Sequence, residues 1–559
     1  MISTKEFRAL ICAINSQYIH SSLASWYLVA GINQYCDSPV YATVFESTVN
    51  EDIRITADRI LSIHPDFIGF SCYIWNMNRI NALIPIIKNA LPECIIALGG
   101  PEVSYNAKKH LENRLVDYVI SGEGEYPLAM LIDSIITSSP VPSCGISCRS
   151  GENIIESAPY YSDEEPPDPY SKDYFSNLKG RISYIETSRG CPFSCSFCLS
   201  GRCRGVQFFD LERCKRNIIL LANSGSRTIK FVDRTFNANP QRAATIVRFI
   251  CENYGITIPD DVCFHFEIAG DLLNDRLIEL FSAAPPGSIQ LEIGLQSFNE
   301  EVLQSVMRKT NVLKLTENIK RLLQNNNIHL HLDLIAGLPF EDYESFGRSF
   351  NQAYVLQPHM LQLGFLKLLH GAPLEQDTRG IIFSADAPYE VASTPWLTAE
   401  ELKVLKNTEH ALDLLFCSGR FITISSFLMD YWGLNPFEFY TKAGEFLKNS
   451  CNPYDICRVI LENCPESIRA KARDIMTEEW LCTNSSGKIP PALRIADGDL
   501  KKIAIALEHN GFKRPVGTRR SIAILYTTGR AMYVDYTSCS RVTRRYTPTY
   551  IDNYKEYIL

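Results

Sequence analysis

The chain has 559 residues, 46% of them apolar and 21% charged, the values of a soluble globular protein long enough for several domains, which excludes a disordered tail. No run of roughly 18 residues is free of charge and the start lacks the layout of a signal peptide, so no membrane span and a cytoplasmic residence are expected. A net charge of −8 disfavours extended nucleic-acid binding.

The first section, 1–145, alternates short apolar runs with stretches of helical spacing. Runs at 7–14, 39–45, 67–72, 94–98 and 118–120 have the look of buried parallel strands. Helices are expected at 21–35, 50–63, 79–91 and 127–138. This is the pattern of an open, doubly wound (Rossmann-like) α/β domain, whose ligand crevice lies where loops leave the carboxyl ends of the strands. Those loops are 15–20, 72–77, 99–102 and 122–125. Residues 146–178 are expected to be a linker, since 158–178 carries Pro159, Pro166, Pro167 and Pro169 among tyrosines and acids, with no core of its own.

The second section, 179–385, has strand candidates at 182–187, 228–233, 262–269, 289–296, 328–335 and 360–368. The gaps admit crossover helices, so a partial (β/α)6 barrel of the TIM type is expected. Strand side chains alternate in direction, which puts Cys263, His265 and Glu267 on one face, as well as Gln290, Glu292, Gly294 and Gln296, and His329, His331 and Asp333. A covered parallel sheet is normally apolar on both faces. Polar faces on three successive strands therefore point to a lumen with a polar ligand, a satisfied buried network being the alternative. The third section, 386–559, is expected to be α+β, with helices at 397–417 and 436–448, a hairpin at 521–536 and a basic cluster of Lys513, Arg514, Arg519, Arg520, Arg541, Arg544 and Arg545.

Nineteen cysteines are too many to ignore. Their odd number and the absence of an export signal speak for reduced thiols, some of them holding a metal. Cys191, Cys195 and Cys198 fall in Thr187-Ser-Arg-Gly-Cys191-Pro-Phe-Ser-Cys195-Ser-Phe-Cys198, directly after the first barrel strand. Three thiolates on one loop suit a 4Fe-4S cluster, because a cubane has four irons and one then stays open for a ligand. Structural zinc, with Cys203 as fourth ligand, is the alternative. Cys203 is also a candidate proton or hydrogen-atom donor, or a packed thiol. Cys451, Cys457, Cys464 and Cys482 have spacings that match no cluster motif, so buried thiols are expected.

With these cysteines, and Phe197 before the last of them, the chain resembles the radical S-adenosylmethionine (SAM) superfamily. Segments Phe231-Val-Asp-Arg-Thr-Phe236, Phe266-Glu-Ile268, Leu291-Glu-Ile-Gly-Leu-Gln-Ser297 and Leu332-Asp-Leu-Ile-Ala-Gly-Leu-Pro339 look like that family's later strands. The resemblance implies that the cluster's open iron binds SAM and that one electron cleaves it to methionine and a 5′-deoxyadenosyl radical. It places Phe197, Asp233, Thr235, Glu267, Glu292 and Gln296 beside SAM. The first section is similar to the cobalamin-binding domains of one branch of that superfamily. Ser71-Cys-Tyr73 and Gly99-Gly100 stand for two of the branch's three elements, and Glu102 and the Gly122-Glu123-Gly-Glu125 loop follow. The element that normally supplies a lower-ligand histidine is missing: Asn15-Ser-Gln-Tyr-Ile-His20 stands in its place, and His20 is either an axial ligand or simply hydrogen-bonded. The cobalamin contacts implied are Asn15, His20, Ser71, Tyr73, Gly99, Gly100, Glu102 and Glu123. The third section resembles the domain of unknown function that accompanies such proteins in anaerobes. These resemblances imply a cobalamin-dependent radical SAM methyltransferase acting on an unactivated carbon, with flavodoxin or ferredoxin as electron donor. The alternatives are a radical cyclase or rearrangement enzyme using the same cofactors, or a non-catalytic cluster and cobalamin sensor.

Overall fold

The computed structural model describes residues 6–202, 205–486, 488–495, 499–509 and 521–557. They form two compact units. The first takes the residues up to Leu280, with Gln304–Lys309 and Leu366–Ala392; the second takes Phe281–Leu303, Thr310–Phe365 and the residues from Ser393 on.

The first unit begins with β1 (Phe7–Asn15), α1 (Leu23–Tyr35), β2 (Val40–Thr48), α2 (Ile53–Leu61), β3 (Phe67–Ser71), α3 (Met77–Ala90), β4 (Ile95–Gly99), α4 (Ala107–Leu111), β5 (Tyr118–Ile120) and α5 (Glu125–Thr137). The sheet order is β2-β1-β3-β4-β5-β6-β7. Strands β1 to β5 run parallel. Period-two alternation splits each central strand between two cores: Leu10, Cys12, Ile14, Ile68 and Phe70 pack on one face, while Ala9, Ile11, Phe67 and Ala97 pack on the other. Both faces are covered, which is why these runs read as continuously apolar. Ser22 caps α1 by accepting from the Ser25 N–H, and Asp52 caps α2. Strand order reverses between β1 and β3, so their carboxyl ends, Asn15 and Ser71, flank a switch-point crevice.

The sheet continues past residue 145. Strands β6 (Ile146–Ser150) and β7 (Asn153–Ile155) add an antiparallel hairpin beside β5. The expected linker is therefore corrected. Pro166, Pro167 and Pro169 are buried, and Tyr174, in α6 (Lys172–Asn177), is 1% exposed against Trp26, Tyr170 and Phe175. The proline run is held by aromatic packing that local composition does not reveal.

Next come β8 (Ser183–Ile185), β9 (Ser188–Gly190), β10 (Val206–Phe208), α7 (Leu211–Ala222), β11 (Thr228–Phe231), α8 (Pro240–Asn253), β12 (Cys263–Ile268) and α9 (Asp275–Ser282). Strands β8, β11 and β12 pair in parallel, and β9 and β10 form an antiparallel ribbon around the cysteine loop. In the second unit β13 (Ile289–Gln296), β14 (His329–Ala336) and β15 (Met360–Phe365) pair in parallel, accompanied by α10 (Glu300–Ser305), α11 (Val312–Leu323) and α12 (Tyr343–Val355). The six strands fall where the spacing of apolar runs predicts them.

Short strands β16 (Ile382–Phe383) and β17 (Val391–Ser393) precede a largely helical region: α13 (Ala399–Leu412), α14 (Ile422–Trp432), α15 (Pro436–Leu447), α16 (Pro453–Asn463), α17 (Glu466–Thr483) and α18 (Asp499–His509). A sheet of β18 (Ser521–Leu525), β19 (Arg530–Val534) and β20 (Thr549–Ile551) follows, its first two strands being the expected hairpin. Cys457, Cys464 and Cys482 are buried free thiols, as expected. Cys451 is exposed instead, because it lies in the turn before Asn452, the N-cap of α16. Of the basic cluster, Arg545 is half-buried and donates to the Gly419 carbonyl at 2.7 Å; Lys513, Arg514, Arg519 and Arg520 lie outside the described residues. Among the described residues no helix is long and apolar enough to cross a membrane.

Candidate active site

A cavity of about 670 Å³ opens at the carboxyl ends of the parallel strands in the first unit. Asn15, His20, Ser71 and Tyr73 line it from the loops after β1 and β3, and Gly99, Gly100 and Glu123 from those after β4 and β5. Small residues at Ala24, Gly69, Ala97 and Gly124 extend the slot beside the sheet. Gly100 has φ +113°, and a Cβ there would stand 2.6 Å from the Cys72 carbonyl, so only glycine lets this loop lie against β3. Asn76, unremarked in the sequence, fixes the switch point: its amide donates to the carbonyls of Ile14 (3.1 Å) and Ser71 (2.9 Å), ending β1 and β3 together. On the rim the Tyr73 and Trp75 rings stack with centroids 4.3 Å apart, and Trp75 is 49% exposed.

Two of the nominated crevice residues behave otherwise than expected of ligand contacts. Glu102 does not line the cavity; it is buried and accepts from the Tyr389 hydroxyl at 2.6 Å. The reason is local, since Gly100 turns the chain back and carries Glu102 beneath the loop. Asn15 lines the cavity, but its amide donates to Glu46 (2.7 Å) and to the His20 carbonyl (3.1 Å). Arg181, also outside the sequence reading, closes this knot by bonding Glu46 and the His20 carbonyl. His20 is hydrogen-bonded through Nδ1 to the Tyr184 hydroxyl (2.6 Å), and burial, with the Lys230 and Arg181 cations, lowers its pKa.

The same cavity is walled by Ser188, Arg189, Gly190, Leu199 and Ser200, which flank the three cysteines. The strand-to-loop junction is anchored by Asp233. Fully buried, it accepts from the Thr187 N–H (2.9 Å), the Thr187 hydroxyl (2.6 Å) and the Ser188 hydroxyl (2.6 Å). Burial pushes its pKa up to about 6, against the pull of those donors. Asp233, two residues past the end of β11, thus spends its carboxylate on the backbone and hydroxyls that start the cysteine loop. Its neighbour Thr235 does reach the cysteines, its hydroxyl lying 3.5 Å from Cys191 Sγ. The Ser200 N–H points at Cys198 Sγ (3.4 Å), and Cys195 is nearly buried, which raises its pKa. Phe197 is half-buried, and Cys203 lies outside the described residues.

Arg189 lies inside the cysteine motif, where nothing in the local pattern marks its role. Its guanidinium meets Glu186 (2.9 Å), Glu125 (3.0 Å) and Glu123 (3.2 Å), tying the Gly122–Glu125 loop to the cysteine loop. Further along, Glu267 pairs with Lys230 at 3.4 Å. In the second unit Glu292 lies with His331 and Asp333, their ligand atoms all within 4.8 Å. Gln296 has φ +74° at a register shift in β13, and its buried Oε1 has no hydrogen-bond partner among the described residues.

Known families match all three sections. The radical SAM superfamily matches residues 185–353, the B12 binding domain residues 11–132, and a protein family of unknown function (DUF4080) residues 377–455. The chain carries a B12 binding domain followed by a radical SAM domain. It is 26% identical over 386 residues to the cobalamin-dependent radical SAM methyltransferase TokK of Streptomyces tokunonensis, covering 62% of this chain and 55% of that protein. The chain therefore spans little more than half the length of that relative. Its fold is similar to that of TsrM from Kitasatospora setae, a radical S-adenosylmethionine methyltransferase solved with cobalamin and a 4Fe-4S cluster: TM-score 0.56, 16% identity, 66% of this chain and 77% of that one. It is also similar to OxsB, a cobalamin-dependent S-adenosylmethionine radical enzyme: TM-score 0.58, 14% identity, 85% of this chain and 79% of that one.

Proposed function

We propose that the chain is a cobalamin-dependent radical SAM methyltransferase acting on an unactivated carbon, with a low-potential electron donor of the flavodoxin or ferredoxin class. The observation that carries this reading is the shared cavity: the crevice of the B12 binding domain and the flanks of the cysteine loop are walls of one space within the first unit. An enzyme that passes a carried group to a radical centre needs its two cofactors in one water-excluding site.

The residues present suit both groups. Cys191, Cys195 and Cys198 would hold three irons of a 4Fe-4S cluster and leave the fourth for SAM. The slot floored by Gly69, Ala97, Gly99 and Gly124, where side chains are absent or small, would take the nucleotide tail of cobalamin, and the Tyr73–Trp75 stack would border its opening. His20 is held at Nδ1 by the Tyr184 hydroxyl, which fixes the ring and leaves Nε2 as the nitrogen that either hydrogen-bonds or ligates cobalt. When bound, the cluster supplies the electron that cleaves SAM, and cobalamin carries the methyl group. The chain's own part is to bind, orient and exclude water. Asp233 and Thr235 hold the start of the cysteine loop, and Arg189 locks that loop to the crevice.

The test is anaerobic reconstitution with assay of iron, sulfide and cobalamin, then reduction in the presence of SAM. One cubane and about one cobalamin per chain are expected, with 5′-deoxyadenosine formed by the parent and not by C195A. Formation of S-adenosylhomocysteine as well separates methyl transfer from cyclisation or rearrangement. A parent chain that forms no 5′-deoxyadenosine, or a C195A chain that binds as much iron, overturns the reading.

A further inference from the structure

Each cysteine of the cluster loop meets a different kind of polar group. At Cys191 it is the Thr235 hydroxyl (3.5 Å), whose own proton goes to the Arg234 carbonyl (2.8 Å), at Cys198 the Ser200 backbone N–H (3.4 Å), and at Cys195 a guanidinium donor, Arg308 Nη1 at 3.8 Å. Arg308 comes from far along the chain, in the short segment Gln304–Lys309, which belongs to the first unit although the residues on either side of it belong to the second. That segment is held against the loop by a backbone bond as well as by this side chain. The Ser196 N–H donates to the Val306 carbonyl at 2.9 Å, and Val306 is fully buried. Met307 takes a left-handed backbone (φ +55°) that turns the chain directly before Arg308. A non-glycine residue in that conformation persists only where its surroundings hold it there.

We infer that Arg308 is a positioning residue that tunes the reduction potential of the cluster, by placing a positive hydrogen-bond donor on the Cys195 sulfur. The inference rests on the cluster reading of the three cysteines. One-electron reduction adds one negative charge to the cluster and its thiolates. A guanidinium fixed beside one sulfur stabilises the reduced form more than the oxidised form, and so raises the potential. Hydrogen bonds to cluster sulfurs are among the main levers a protein has on that potential. A lysine keeps the charge but lacks the planar fork, and a glutamine keeps a donor without the charge.

The experiment is an anaerobic redox titration of the reconstituted full chain with dithionite, followed by electron paramagnetic resonance of the reduced cluster, on the parent, R308K and R308Q. Iron and sulfide content are measured on the same samples. The expected result is equal iron in all three, with the R308Q midpoint more negative by roughly a tenfold shift in the reduction equilibrium, about 59 mV for one electron, and R308K between the two. A midpoint of R308Q equal to the parent's at equal iron overturns the inference and leaves the cluster reading intact. Loss of iron from both variants assigns Arg308 to holding the loop and overturns the tuning role. If R308Q alone loses iron, the R308K midpoint decides: a negative shift supports the inference and no shift overturns it. A parent chain that builds no cluster overturns the proposed function, and this inference with it.

Discussion

Asp233 shows how a single buried carboxylate determines whether a reactive loop is ordered. Its two oxygens take one backbone N–H and two hydroxyls from Thr187 and Ser188, directly before the cysteines. Removing the acceptor leaves three buried donors; the two hydroxyls can turn to other acceptors, and each donor left unsatisfied costs about 1–3 kcal/mol. D233A is therefore expected to lose about 2–4 kcal/mol of stability in the first unit and to retain clearly less iron after reconstitution. D233N, which keeps one carbonyl acceptor, should lose less of both. Thermal melting and an iron assay check this. Parent-like iron in D233A would mean that the loop is ordered by its other contacts, such as the bond from Ser196 to Val306.

At the scale of elements, the end of β13 carries the strain. Gln296 is left-handed at the register shift, and Ser297 after it donates to Glu341 at 2.5 Å, with Ser349 3.2 Å away. Glu341 is fully buried, and burial pushes its pKa up to about 7, against the pull of the two serines. A carboxyl raised from 4.5 to about 7 binds more protons folded than unfolded between those values, so its contribution is complete below about 4.5 and lost as pH rises through about 7. E341Q, permanently neutral, should abolish that slope. Between pH 5 and pH 8 the unfolding free energy of the parent, read from urea titrations, should fall relative to E341Q by at most about 3 kcal/mol at 1.36 kcal/mol per pKa unit, and its urea midpoint with it. Parallel midpoints across that range would refute a protonated Glu341.

The same elements show what sequence can carry. The central strands β1, β3 and β4 were legible because burial on both faces leaves a continuous apolar run, and β13 because its burial alternates residue by residue. The hairpin β6–β7 was not, since its exposed, polar edge resembles a loop. The cysteine loop was legible from spacing alone. The partners of a charge were not: Glu102 and Asp233 look alike as acids near a crevice, yet one is taken by Tyr389 and the other by the loop it anchors. Arg308 lies over a hundred residues from the cysteine it touches, a pairing that no local pattern encodes.

At the scale of the whole molecule, family matches divide the chain into a B12 binding domain, a radical SAM domain and a section of unknown function, and the link between the first two rests on Arg189. Its guanidinium joins Glu123 and Glu125, from the crevice, to Glu186, at the end of β8, and lies 5.6 Å from the centre of the Tyr27 ring of α1. Three carboxylates around one cation are stable only while that cation is present. Without it they are partly buried like charges, and breaking such a network by removing one partner costs about 3–5 kcal/mol. R189A is therefore expected to melt at a clearly lower temperature than the parent and to lose cobalamin on gel filtration, while keeping its three cysteines and their iron on brief reconstitution. R189K, a charge without the bidentate fork, should recover part of the melting temperature, because it restores neutralisation but not the two-toothed contact with Glu186. Melting curves and the visible absorbance of bound cobalamin read both effects. An R189A chain that melts with the parent and holds its cobalamin would show that the two domains share the cavity without depending on this link.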